Sequence, residues 1–166
     1  MKTLFSSIAC LAFVVSWSQT AVKEPKFLQD WLPGSVGEYK PDESSSVGTF
    51  LQYDGKPYSM ATKAYHKEQS VLTIIIFDYK EAAAVIEKST AGWTDALNQE
   101  NDEYKMAVIT ISGFKGWESF SKKTNDAQLY VNLHNRYLLH LSGTYQQSSD
   151  YLRKVVQNLQ LNKLTK

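Results

Sequence analysis

The segment Ser70–Phe77, SVLTIIIF, constrains the fold more than any other part of the sequence. Side chains of an extended strand alternate between the two faces of a sheet. In this segment both alternating sets are rich in apolar residues, which predicts a central strand covered at least in part on each face. One face would carry Val71, Thr73, Ile75 and Phe77, and the other Leu72, Ile74 and Ile76.

A helical pattern follows this strand. Asp78 and Glu81 have the spacing of a capping box, in which the first side chain accepts hydrogen bonds from free N–H groups of the first helical turn. Both carboxylates also lie where the helix dipole favours negative charge. We therefore predict that they begin a helix and that neither is catalytic. The helix would carry Ala82, Val85, Ile86, Ser89 and Trp93 at helical spacing.

The rest of the chain has the pattern of strands joined by short turns. Three strands precede the central helix, with an Asp54-Gly55 hairpin turn between the first two, and four strands follow it. A final helix after Ser148 or Ser149 has apolar residues at positions i, i+3, i+4 and i+7. We predict an α+β fold, in which a mostly antiparallel sheet of about seven strands packs against the central and C-terminal helices. One parallel pair is possible after the central helix.

The expected domain organisation has three parts. Residues 1–18 form a signal peptide, residues 19–48 a short helix and a loop rich in Pro, Gly and Ser, and residues 49–166 a single α+β domain. The loop, Pro33–Gly48, is long enough to be functional or to act as a tether. We favour the tether.

The N-terminus has the features of a secretory signal peptide. Lys2 gives a positive start, the apolar run Leu4–Val15 is too short to span a bilayer comfortably, and small residues precede Gln19. A lipoprotein signal ending at Cys10 is the alternative, but Ser7 stands where that signal needs a large apolar residue. We expect an exported protein, periplasmic or secreted, without a lipid anchor and without a transmembrane segment in the mature chain.

The composition of the processed chain excludes several functions. Cys10 is the sole cysteine, so the mature chain would have no disulfide, no thiolate nucleophile and no cysteine-ligated metal. Loss of Lys2 leaves 17 basic and 17 acidic residues without a basic cluster. Nucleic acid and anionic membranes require clustered positive charge, so we expect neither as a partner.

The sequence lacks recognisable catalytic or metal-binding motifs. His66, His134 and His140 all lie on predicted strands and lack the spacing of a zinc site. A two-residue turn at Asn135-Arg136 would point the last two histidines to opposite faces of the sheet, whereas a turn longer by one residue would reunite them. No nucleophile elbow, phosphate loop or zinc-protease motif is present. We predict no metal, no cofactor and no catalytic residue.

Aromatic residues are the best candidates for binding. Trp117 lies on an otherwise polar strand face, and Tyr130, His134 and Tyr137 share a face of the last hairpin in the two-residue register. Together these four residues would form an amphipathic surface able to bind a peptide or a sugar. The alternative is that a helix covers them as core, which Leu139 and Leu141 on the same face favour.

From about Thr49 to Leu161 the order of elements resembles the PsbP-like α/β sandwich of small exported or lumenal accessory proteins. The resemblance includes the segment GFKGWESF and the hairpin LYVNLHNRYLLHLSGTY that leads into the last helix. It implies an accessory or binding role and supplies no site residue.

Two functional hypotheses follow. The first is a non-catalytic accessory or binding protein of the bacterial cell envelope that engages a protein or small ligand through an aromatic surface or groove. The alternative is a small hydrolase or lyase in which His66 and His134 act with nearby carboxylates.

Overall fold

The computed structural model of the chain describes residues 21–164. The predicted signal peptide and the alternative lipid anchor at Cys10 lie outside these residues. The helices are α1 (Pro25–Trp31), α2 (Ala83–Thr90) and α3 (Asp150–Asn158), with short 3-10 turns at Asp95–Leu97 and Leu161–Lys163. The strands are β1 (Lys40–Tyr53), β2 (Lys56–Lys67), β3 (Ser70–Asp78), β4 (Gln99–Glu100), β5 (Tyr104–Ile111), β6 (Phe114–Ser121), β7 (Asp126–Leu133) and β8 (Tyr137–Gly143).

The described strands form one sheet in the order β1-β2-β3-β8-β7-β6-β5-β4, and every neighbouring pair is antiparallel. The α+β class and the largely antiparallel sheet are therefore confirmed. β4 adds a two-residue strand to the seven that the sequence predicts. The long connection after β3 carries the chain from the middle of the sheet to its far edge. Successive hairpins then bring it back through β6 and β7 to β8, which pairs antiparallel to β3.

One face of the sheet, the α1/α3 face, holds the larger core. Leu72, Ile74 and Ile76 of β3 are fully buried there. Helix α1 contributes Leu28, and α3 contributes its apolar stripe, which includes Leu152. Burial of each such side chain stabilises the fold by roughly 1.5–3 kcal/mol. This face is the main source of stability.

The opposite face, the α2 face, has a smaller core. Ile86 is the one residue of α2 that is buried, and it packs with Tyr79, Trp93 and Leu138. The prediction that β3 is covered on both faces is therefore correct, but the covering on this side is thin. Helix α2 also starts without a side-chain cap, since Ala82 occupies the N-cap position.

The capping-box prediction for Asp78 is wrong. Helix α2 begins at Ala83, five residues after Asp78, and the carboxylate, which has no exposed surface, instead binds Arg136. Arg136 donates from Nε at 2.8 Å and from Nη2 at 2.7 Å. The backbone N–H groups of Lys23 and Lys80 also donate to this carboxylate. Leaving a fully buried carboxylate without a cation costs more free energy than leaving a helix without an N-cap.

A second ion pair joins the sheet to α3. Glu118 of β6 has almost no exposed surface, and Arg153 of α3 donates to both of its carboxylate oxygens. This pair fixes the position of α3 along the sheet, since a buried carboxylate left without its guanidinium is strongly destabilising.

The structure moves the predicted boundary between the N-terminal loop and the first strand. Strand β1 begins at Lys40, inside the segment predicted as a loop to Gly48, and its register shifts between Asp42 and Val47. Only residues up to Tyr39 remain as the connection from α1.

No helix among residues 21–164 is long and apolar enough to cross a membrane.

Candidate functional site

Three rings stand side by side on the α2 face, on adjacent strands. The register pairs Trp117 of β6 with Tyr130 of β7, and Tyr130 with His140 of β8. The indole and phenol ring centres are 5.6 Å apart, and the phenol and imidazole rings stack in parallel at 4.1 Å. We call these three residues the aromatic ladder. Cross-strand aromatic contacts of this kind stabilise a sheet and fix its register.

The aromatic ladder contains an unusual pair of polar atoms. Among the described residues, Trp117 Nε1 and His140 Nε2 are the buried side-chain nitrogen or oxygen atoms that have no hydrogen-bond partner. Leaving a buried donor or acceptor unsatisfied costs about 1–3 kcal/mol. Such atoms are rare in folded proteins, and each one calls for an explanation, such as a bound water or ion, strain or a functional role.

Burial sets the charge of the imidazole. Desolvation lowers the pKa of His140 to about 4, so the ring is neutral at pH 7. A neutral imidazole has one nitrogen that donates and one that accepts. Burial also raises the pKa of Tyr130, so the phenol keeps its proton. The aromatic ladder therefore presents uncharged groups to a ligand.

The α2 segment, which runs from Tyr79 to Leu97, packs over the aromatic ladder. Trp117 and Tyr130 are half-buried against the cluster formed by Tyr79, Ile86 and Trp93. A side-chain hydrogen bond of 3.2 Å from Asn132 to Thr90 ties the end of α2 to β7. The α2 segment therefore covers Trp117 and Tyr130 of the aromatic ladder.

A polar row lies beside the aromatic ladder on the same face. Strand register places Thr73, Ser142, Gln128 and Ser119 in line across β3, β8, β7 and β6. These side chains are half-buried or exposed. A ligand that stacks against the rings would meet hydroxyl and amide groups along one side.

The structure brings together two of the four residues that the sequence proposes for binding. Trp117 and Tyr130 are adjacent in the aromatic ladder. His134 lies exposed in the β7–β8 turn at positive φ, with its ring 4.9 Å from Phe114. Tyr137 is buried on the α1/α3 face, where its hydroxyl donates to the carbonyl of Leu164.

A one-residue difference in the turn causes this separation. Leu133 pairs with Tyr137, so the turn holds three residues instead of the predicted two. The shift moves Tyr137 to the core face and brings His140 beside Tyr130, while His134 stays within the turn. His140 is the site residue that sequence reasoning missed. A polar residue between Leu139 and Leu141 in an otherwise apolar strand was the available signal.

His66 and His134 lie far apart in the part of the chain that the structure describes. His66 lies at the end of β2 beside Val71, 3.6 Å from Asp42, whereas His134 lies near the opposite end of β3. Among residues 21–164 no group of three or more His, Cys, Asp or Glu side chains is placed to hold a metal ion. The pairing of His66 with His134 that the hydrolase or lyase hypothesis requires does not occur in the described fold.

A concave feature lies at the end of the sheet that contains the start of β3. Tyr39, Tyr145 and Tyr151 line a polar groove of about 450 Å³ together with Lys67 and Lys154. The polar atoms at its base already have partners. Tyr39 Oη lies 2.7 Å from Ser70 Oγ, and Gln146 donates to Tyr39, Ser70 and Thr144. This groove has less unmet hydrogen-bonding capacity than the aromatic ladder.

Comparison with family models, with curated proteins and with solved structures finds no match to this chain. The resemblance to the PsbP-like sandwich therefore stays a prediction.

Proposed function

We propose that this chain is an exported, non-catalytic binding protein of the bacterial cell envelope that holds a protein segment or small ligand against the aromatic ladder. The observation that carries the proposal is the pair of buried, unpartnered nitrogens, Trp117 Nε1 and His140 Nε2. Both belong to one row of adjacent strands, so one molecule can reach both.

The ligand class follows from the chemistry of the ladder. Trp117 Nε1 can only donate, so the ligand must carry an acceptor. His140 Nε2 accepts or donates according to the tautomer, and the neutral ring favours an uncharged group. Flat or ring-shaped faces stack well against tyrosine and tryptophan. A neutral sugar or a peptide backbone meets these requirements.

Binding and movement of the α2 segment are coupled in this proposal. The unbound protein bears the cost of two unsatisfied atoms, and a ligand removes that cost. The opposing cost is displacement of Ile86 and its neighbours from their contacts. A helix of eight residues without a side-chain cap is suited to such displacement, because little burial holds it in place.

A photo-crosslinking group placed at Gln128, which is exposed beside Tyr130, tests the proposal in intact cells. Trp117→Phe keeps an aromatic ring and removes the unpartnered N–H. Trp31→Phe is the matched control, because Trp31 Nε1 donates to the carbonyl of Gln160, away from the ladder. We expect the adduct to persist in the control and to fall in Trp117→Phe. Equal adduct yields in both variants would contradict the proposal that the aromatic ladder binds the ligand.

A panel of neutral sugars and short peptides, followed by tryptophan fluorescence, tests direct binding. Loss of one hydrogen bond should weaken the affinity of Trp117→Phe about three- to tenfold. Export is tested separately by cell fractionation and N-terminal sequencing, which should place the first residue at Gln19. A cytoplasmic, unprocessed chain would contradict the localisation.

A further inference from the structure

Strand β1 forms one edge of the sheet, and its two halves differ in character. The first half has the features that protect an edge from unwanted pairing: Lys40, Pro41, the acidic pair Asp42-Glu43 and a register shift. The second half, residues 47–53, has the sequence VGTFLQY and contains no charge and no proline. The opposite edge is protected, since β4 has two residues and Glu100 pairs with two lysines.

The unprotected half exposes large apolar side chains. Val47 and Phe50 are each 50% exposed, and Tyr53 is 51% exposed. They make up three of the five exposed large hydrophobic residues among the described residues. An uncharged, apolar edge strand promotes aggregation when it is left open, and pairing with another strand removes that liability.

Turn geometry identifies the backbone groups that face outward. Asp54 and Gly55 both have positive φ, at 51° and 72°, which is typical of the type I′ turn of a two-residue hairpin. In that hairpin the flanking pair, Tyr53 and Lys56, is hydrogen-bonded. Alternation along β1 then points the backbone N–H and C=O groups of Gly48, Phe50 and Gln52 away from β2.

We propose that β1 pairs antiparallel with β1 of a second copy of this chain, with Phe50 on the two-fold axis. Phe50 is the centre of the uncharged stretch, so this register pairs every one of its residues with another. The outward groups match, since Phe50 faces Phe50 of the second copy and Gly48 faces Gln52. These three hydrogen-bonded pairs contain six backbone hydrogen bonds.

The side chains also fit this register. Val47 lies opposite Tyr53 of the second copy, an aromatic and β-branched pair of the kind that stabilises sheets. No charged residue faces a like charge within the paired stretch. The contact is isologous and closes at two copies, giving a dimer and not a fibre. It joins the eight described strands of each copy into one sheet of sixteen, and neither aromatic ladder lies at the contact.

Disulfide trapping tests the register directly. The full chain carrying Cys10→Ser has no cysteine, so one introduced cysteine is unique. Paired residues on the axis have Cα atoms about 5.5 Å apart, which suits a disulfide. With oxidised glutathione we expect Phe50→Cys to form a covalent dimer at least tenfold faster than Tyr145→Cys, an exposed control position. A mixture of Val47→Cys and Tyr53→Cys should cross-link, and each alone should not.

Sedimentation equilibrium gives an independent measurement. We expect a concentration-dependent dimer of the native chain, and its dissociation constant should rise at least tenfold in Phe50→Lys, which places two like charges on the axis. Tyr145→Lys should leave the dimer unchanged. A chain that stays monomeric at millimolar concentration would overturn the proposal, as would a dimer that survives Phe50→Lys. Equal cross-linking at Phe50 and Tyr145, or a β1 edge occupied only by another protein, would also overturn it.

Discussion

Replacement of His140 by phenylalanine should make the protein more resistant to acid. Burial lowers the pKa of His140 from the ordinary 6.5 to about 4 in the folded state, and the unfolded chain keeps the ordinary value. Between these values the unfolded state binds a proton that the folded state does not. The native protein therefore loses stability as the pH falls from about 6.5 to about 4, and the loss is complete below about 4.

The size of this effect follows from the two pKa values. A difference between 6.5 and about 4 corresponds to at most about 3 kcal/mol of unfolding free energy. The ring is half-buried, so solvent screening reduces this figure, and we expect about 1–2 kcal/mol. At pH 7.5 the variant should equal or exceed the native stability, because phenylalanine keeps the stack on Tyr130 without an unsatisfied nitrogen.

Urea denaturation from pH 7.5 to pH 4.5 measures the difference in unfolding free energy between the native chain and His140→Phe. Carboxylates titrate in both proteins, so their effect cancels in that difference. His134→Phe is the control, since this histidine is exposed in a turn. The difference in unfolding free energy from the native chain should grow toward low pH for His140→Phe and not for the control. If the difference for His140→Phe stays constant within about 0.3 kcal/mol from pH 7.5 to pH 4.5, the assignment of a desolvated imidazole is refuted.

Two further predictions concern the sheet. Arg136→Met should destabilise the protein by roughly 3–5 kcal/mol in urea, because it leaves the buried carboxylate of Asp78 without its cation; Asp78→Asn in the same chain should recover part of the loss. Gly116→Ala should cost about 1–3 kcal/mol by thermal denaturation, since a Cβ there would lie 2.7 Å from the backbone oxygen of Tyr130. Gly34→Ala, with no atom within 4 Å of the new carbon, should stay within about 0.5 kcal/mol, and equal losses at the two glycines would contradict this reasoning.

The fold class could be predicted from the sequence because the decisive signals are local. The two-sided apolar alternation of β3 and the Asp54-Gly55 turn each determine structure over a few residues, and hairpin-length connections then dictate antiparallel pairing. The early start of β1 could not be predicted in this way. Residues 40–48 contain three serines, one proline and three charged residues, a composition typical of a loop, yet Lys40–Asp42 and Val47–Gly48 pair with β2.

The candidate site depended on information that sequence periodicity does not contain. Whether the β7–β8 turn has two or three residues decides which faces His140 and Tyr137 occupy, and the turn sequence allows both. Similarly, Asp78 has the spacing of a helix cap, but Arg136, 58 positions later, binds it instead. Long-range electrostatic pairing therefore overrode a correct local rule.

The bonds of Asp78 have a consequence for the start of the described chain. Its carboxylate accepts a 2.8 Å hydrogen bond from the Lys23 amide, and the carbonyl of Lys23 accepts one from Ser59. Local unfolding of this stretch would expose the Asp78 carboxylate, which is shielded from water in the folded protein. The Lys23 amide should therefore exchange its hydrogen for deuterium as slowly as the amides of the central strands. Proteases should find no early cleavage point there, although the position precedes every described helix and strand.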